Sequence, residues 1–195
     1  ALPSGVITGT VNAGIDPSSE VRMYFTGPFS PSLESRVALQ MMTRVLDIMV
    51  REDLREARGG IYGAGIGSNL QALPTGQYQT AIQFTAEPTR VVELTDAVFA
   101  QIQDLRDNGP SAVNFAKAQE QLRLDHEENL QDNNAWLTWM DRYLTGVEGD
   151  LDEILRIEQV IGAVTPEDVQ AMAQGVLSSD EHVTLFLYPE DFQPE

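Results

Sequence analysis

The spacing of hydrophobic and polar positions changes period several times along this chain, and each change marks an element. Residues 5–14 and 19–27 read as two strands joined by a turn at Ile15-Asp16-Pro17-Ser18. In the second strand Val21, Met23 and Phe25 share one face, Arg22, Tyr24 and Thr26 take the other, and Pro28 and Pro31 close it. The period then lengthens. Ser32 suits a helix N-cap, and Val37, Met41, Val45 and Ile48, with Ala38, Met42, Leu46 and Met49, form a broad apolar stripe at helical spacing over 33–58. Methionines in such a stripe predict core. A strand begins at Ile61, and after a turn at Pro74-Thr75-Gly76 the segment 77–87 alternates strictly. Tyr78, Thr80, Ile82 and Phe84 oppose Gln79, Ala81, Gln83 and Thr85, a second set polar enough to face water or a cavity. The pattern predicts a sheet covered by helices on one face.

The rest is mostly helical. Segment 89–107 carries Val92, Leu94, Val98, Ile102 and Leu105 and is stopped by Asn108-Gly109-Pro110. Segment 111–133 is charged along one side, 135–144 holds Trp136 and Trp139, and 151–161 is a short amphipathic helix. Thr165-Pro166-Glu167-Asp168 is a capping signature opening a last helix that runs to 177, and 182–188 is a final apolar strand. The order β-β-α-β-β-α-α-α-α-α-β predicts an α+β fold in a single domain over 1–195.

Charge narrows the partners. Thirty acidic residues against 12 basic ones give a net charge of −18, and Lys117 is the only lysine. Such a surface repels nucleic acid and anionic membranes. It fits a high-salt setting, where screening removes self-repulsion, as well as it fits a merely acidic protein. No cysteine is present, so disulfides, thiolate-bound zinc and a thiol nucleophile are excluded. No apolar run is long enough to cross a bilayer, so membrane insertion is not expected, and residues 1–5 show no signal-peptide pattern.

The most informative stretch runs from Arg51 to Asn69. Its helix ends at Gly59-Gly60, with Arg55 and Arg58 placing positive charge at the negative end of the helix dipole. In the strand that follows, Ile61, Gly63, Gly65 and Gly67 alternate with Tyr62, Ala64, Ile66 and Ser68. A glycine face predicts close helix packing and leaves Tyr62 pointing the opposite way. The sharp break can bring Arg55 and Tyr62 toward one surface. By spacing alone, the pair also reads as an arginine at a helix terminus and a tyrosine packed on a sheet.

The run Leu54-Arg55-Glu56, then Gly59-Gly60-Ile61-Tyr62-Gly63, resembles the arginine–tyrosine motif in the C-terminal half of bacterial M16 (pitrilysin/insulinase-like) zinc metallopeptidases. Asn133-Asn134-Ala135-Trp136-Leu137 resembles the Asn-x-x-Trp-Leu signature of envelope members, and Val164-Thr165-Pro166-Glu167-Asp168-Val169 resembles the family's last-helix start. The resemblance implies a mostly antiparallel sheet with helices on one face, as in mitochondrial processing peptidase-like domains. It also implies a C-terminal-type domain excised from a longer chain, closing a peptide chamber whose zinc is held by the N-terminal half. Arg55 and Tyr62 would then bind the peptide substrate and support the oxyanion, and a periplasmic or envelope location would follow. The alternative is a catalytically inactive partner subunit or a peptide-binding interaction module.

Other constellations fail. His126 and His182 are the only histidines and no His-x-x-Glu-His is present, so no zinc site is expected in this chain. Asp125, His126, Glu128 and Asp132 read as a solvated stripe. Gly63-Ala64-Gly65-Ile66-Gly67 follows a helix and does not open one, which excludes a phosphate loop, and Ser4, Ser30 and Ser68 have no positioned base.

Overall fold

In a computed structural model of the chain, the described residues are 4–57, 59, 61–71, 75–145 and 152–192, with the side chains of 55–57 outside that set. Strands β1 (Val6–Asn12), β2 (Ser19–Pro28), β3 (Ile61–Gln71), β4 (Gln77–Ala86) and β5 (His182–Tyr188) form one sheet in the order β1-β5-β2-β4-β3. Only the β1–β5 pair is parallel. Helices α1 (Leu33–Arg51), α2 (Val91–Asn108), α3 (Ala112–Asn129), α4 (Asn133–Leu144), α5 (Glu153–Ala163) and α6 (Pro166–Val176) complete the α+β fold.

The alternation seen in sequence is what buries the sheet. Val21, Met23 and Phe25 of β2 and Tyr78, Thr80, Ile82, Phe84 and Ala86 of β4 are all buried, while Arg22, Gln79 and Gln83 stay exposed. Met41, Met42, Val45 and Leu46 of α1 meet that face in the main core, joined by Leu94, Val98 and Leu105 of α2 and Val169 and Ala173 of α6. The methionine stripe is therefore core.

The helix ends follow their caps. Ser32 accepts from the Ser35 amide, and Thr165 and Asp168 close a reciprocal box at α6, with the Thr165 hydroxyl accepting at 3.2 Å and the Asp168 carboxylate at 2.9 Å. Gly109, at φ 72°, ends α2 in a conformation that favours glycine.

Two expectations change. The strands at 5–14 and 19–27 are not hairpin partners, because β5 lies between β1 and β2. The link between Asn12 and Ser19 only has to cross two strand spacings, roughly 10 Å, which a short loop does easily. The Ala13 amide donates to the Tyr188 carbonyl at 2.9 Å, extending β1's attachment to β5. Second, the long helix is α-helical only to Arg51 and then widens into a π-helical turn over Glu52–Ala57. Leu54 on that turn is fully buried, and Glu52 is held sideways by Lys117 at 2.8 Å and Asn114 at 3.3 Å from α3.

Candidate functional site

The corner between α1 and β3 carries the residues that the sequence singles out. The backbone of Arg55 lies on the π-helical turn, and its side chain is outside the described residues, as are Arg58 and Gly60. Gly59, at φ 58°, turns the chain in the left-handed conformation expected past a helix end. Tyr62 sits one residue into β3 and is 71% exposed.

A bulge sets this exposure. Ile61 pairs with Ala86 and Gly63 with Thr85, so Tyr62 is an extra residue with no partner on β4. The insertion inverts the predicted parity of the strand beyond it. Ala64, Ile66 and Leu70 pack against the core, and the glycines take the open face. A Cβ built on Gly63 or Gly67 would meet no atom within 4 Å, and one on Gly65 would meet only Gln83, at 3.9 Å. The glycine face is therefore bare, and the expectation that a helix packs on it is overturned. One additional residue was enough, because strand side chains alternate with a period of two.

The open side of the sheet has two characters. Toward β3 and β4 it offers bare glycines with Gln79 and Gln83, beside Arg22, whose Nε donates to Glu20 at 2.7 Å. Toward β1 and β5 it is apolar, with Ile7, Val11, Leu185 and Leu187 each at least 40% exposed.

On the helix side of β3 a chain of hydroxyls ties the strand to α1. Thr43 donates to the Leu39 carbonyl at 2.7 Å, so its oxygen must accept from Ser68 at 2.6 Å. Ser68 in turn accepts from Thr80 at 2.8 Å. Each hydroxyl has one proton, which fixes the direction from Thr80 to Leu39. A cleft of about 370 Å³ opens beside this chain, lined by Gln40, Ser68, His126, Trp139 and Ile157. A smaller one of about 160 Å³ adjoins it toward Leu70 and Tyr143.

His126, which lines the larger cleft, and Tyr78, on the core face of β4, are both tuned by burial. Burial pushes the His126 imidazole below its usual pKa, favouring the neutral ring, against the pull of Glu158 and Glu127. Burial also raises the Tyr78 phenol, whose hydroxyl donates to the Val176 carbonyl at 3.0 Å.

The residues do not fit a zinc ion. His126 lies in α3 with its ring 6.2 Å from that of Trp139, whereas His182 packs between Phe25 and Phe99 at 5.7 and 4.9 Å. Asp125 pairs with Arg44 at 2.5 Å, and Asp132 caps α4 through the Asn134 amide. Among the described residues no three His, Cys, Asp or Glu side chains could hold a metal. The clefts and the hydroxyl chain were not foreseen from the sequence; the only signal was Thr43, Ser68 and Thr80 recurring on otherwise apolar faces.

Comparison with known proteins gives a consistent picture. The family model described as the peptidase M16 inactive domain matches residues 10–122. A protease from Helicobacter pylori is similar at a TM-score of 0.81 and 16% identity, over 97% of this chain and 46% of that one. The periplasmic protease PqqL from Escherichia coli is similar at 0.79 and 19% identity, over 95% of this chain and 21% of that one. An M16 inactive domain from Pseudomonas fluorescens is similar at 0.75 and 15% identity, over 100% of this chain and 47% of that one. The chain spans less than half the length of each. No curated protein matches it.

Proposed function

The chain belongs to the peptidase M16 inactive-domain family, and from that premise we propose that it is the zinc-free wall of a two-part peptide chamber. In this reading the 195 residues form one C-terminal-type domain of a longer chain. Zinc and the general base come from an N-terminal half or partner subunit. This chain alone does not hydrolyse peptides.

The observation that carries the reading is Tyr62. A large aromatic side chain on a bulge, 71% exposed beside a bare glycine face, is not part of the hydrophobic core among the described residues. Bulges re-aim side chains, and here the phenol is freed from the ladder. Its hydroxyl would donate to a substrate carbonyl oxygen, a bond that strengthens as that oxygen gains charge in a water-poor chamber. Arg55, seven residues earlier on the π-helical turn, would donate charge-assisted hydrogen bonds to the substrate main chain. Burial of Leu54 and the Glu52–Lys117 pair hold that turn in place.

The experiment is cleavage of a quenched fluorescent peptide by the full-length or reconstituted zinc enzyme. Arg55→Ala should slow turnover by orders of magnitude with zinc content unchanged. Unchanged turnover would favour the second reading, a peptide-holding partner without chemistry, which the inactive-domain description of the family also supports. A periplasmic or envelope location goes with the first reading, and recovery of the native protein only in the cytosolic fraction would remove it.

A further inference from the structure

On the helix-covered side of the sheet, opposite the bare glycines, a groove of about 660 Å³ lies between α1, α5 and α6, and none of the roles above uses it. It is larger than either cleft beside β3 and falls within the roughly 300–1,000 Å³ usual for small-molecule sites. Its floor is core. Ala38 of α1, Tyr78 of β4, and Val160, Val164 and Val176 line it and are each no more than 9% exposed. Phe29 and Met172, both partly buried, stand beside them.

The polar groups inside the groove are already spent. The Tyr78 hydroxyl donates to the Val176 carbonyl at 3.0 Å, and the Ser35 hydroxyl accepts from the Ser32 amide at 2.8 Å. The charge on the rim is not spent. Two carboxylates, Glu34 and Asp168, line the groove, and among the described residues no Lys, Arg or His does. Arg156 reaches Glu34 only at 3.3 Å with both side chains more than half exposed, a weak surface pair. Asp168 takes the Thr165 amide and hydroxyl through Oδ2, at 2.9 and 2.8 Å. The Glu34 backbone amide and the Ser32 hydroxyl hold the Glu34 carboxyl below its ordinary pKa, so it is charged at neutral pH.

Gly175, in the last turn of α6, keeps the groove wide. Its backbone is not in the left-handed region, and an added Cβ would meet no atom within 4 Å. Glycine disfavours a helix relative to alanine, and neither conformation nor packing among the described residues demands it here.

We propose that this groove binds a small amphipathic organic cation, its ammonium at the Glu34 and Asp168 carboxylates and its hydrocarbon body on Val160, Val164, Met172 and Val176. Charge decides the occupant. Seating a second copy of the chain would bring two net charges of −18 together, whereas the same charge gathers small cations at the surface. An anion of the same shape would meet two like charges at the rim. The site uses neither Arg55 nor Tyr62, so it stands apart from the chamber reading.

The test titrates the 195-residue chain at low salt with octylammonium, octanol and octanoate, all below micelle formation. Binding is read by NMR from the six isotope-labelled methionine methyls. Octylammonium should shift the Met172 methyl and leave that of Met140, exposed on α4, unmoved. It should bind about threefold to fivefold tighter than octanol, the range of an exposed ion pair, with octanoate weakest. That advantage should shrink in molar salt and in Glu34→Gln. Gly175→Leu places a side chain in the groove and should weaken octylammonium by about tenfold or more, with the helical circular dichroism kept. Should that variant not fold, Ala171→Leu on the same wall replaces it. Equal binding of the three head groups, an unmoved Met172 methyl, or a folded groove-filling variant that binds as before would each overturn the proposal. So would tighter binding of a lysine-bearing amphipathic helical peptide at the same methyl, which would give the groove to a protein partner.

Discussion

Hydrogen-bond direction along Thr80–Ser68–Thr43 leads to a stability order that burial alone would get backwards. Thr80 is 0% exposed, whereas Ser68 is half-buried and lines the clefts. Ranked by burial, Thr80 should be the costlier residue to change. Thr80, however, is the first donor of the chain. Thr80→Val keeps the shape, leaves Ser68 donating to Thr43, and forfeits one neutral hydrogen bond, about 0.5–1.5 kcal/mol. Ser68→Ala strands the Thr80 proton in a dry interior, which costs about 1–3 kcal/mol, and also frees the acceptor on Thr43. The double variant Ser68→Ala/Thr80→Val has no orphaned donor and should be less destabilised than the sum of the two singles. Urea unfolding followed by circular dichroism gives all three values on one scale. The reasoning fails if Thr80→Val is the more destabilising single change, or if the double variant is additive.

Three further outcomes follow from the same structure. Leu54→Ala should cost about 2–5 kcal/mol in urea unfolding, because Leu54 is fully buried where the π-helical turn meets the core; a loss below about 1 kcal/mol would mean the turn is not anchored there. The Lys117 ammonium and the Asn114 amide hold the Glu52 carboxyl below its ordinary pKa of 4.5, against partial burial. A lowered folded-state pKa gives stability that is present above the unfolded value and is lost as pH falls through the folded one. The melting-temperature gap between the native chain and Lys117→Met should therefore be open at neutral pH and close in acid, and a gap independent of pH would contradict the pairing. Finally, a net charge of −18 predicts that the melting temperature rises from low to molar salt. A flat response would leave the chain merely acidic and remove the high-salt reading.

Local rules carried much of the fold. The alternation of 77–87 and of the strand after Ser19 matches the observed faces residue by residue, because each strand has one face on the core. The caps at Ser32 and Thr165 were legible for the same reason: their partners lie three residues away. What failed was non-local or turned on a single residue. Insertion of β5 between β1 and β2 depends on a segment far along the chain, which no pattern at residues 5–27 encodes. The parity of β3 turned on one bulged residue, Tyr62. That error reversed the glycine face yet left Tyr62 pointing away from the core, because the bulge and not the strand's parity sets its direction. The clefts gather residues from α1, β3, α3, α4 and α5, and no linear pattern announces such a meeting.

Tyr62 concentrates the whole functional account, since removing its hydroxyl changes neither fold nor charge. The decisive measurement is kcat, KM and bound zinc for Tyr62→Phe in the assembled zinc peptidase. A phenol that donates to the developing oxyanion predicts a fall in kcat of about 10²–10³-fold, with KM little changed and zinc retained. Turnover equal to that of the native enzyme, with zinc equally bound, would show that this side chain stands clear of the chemistry.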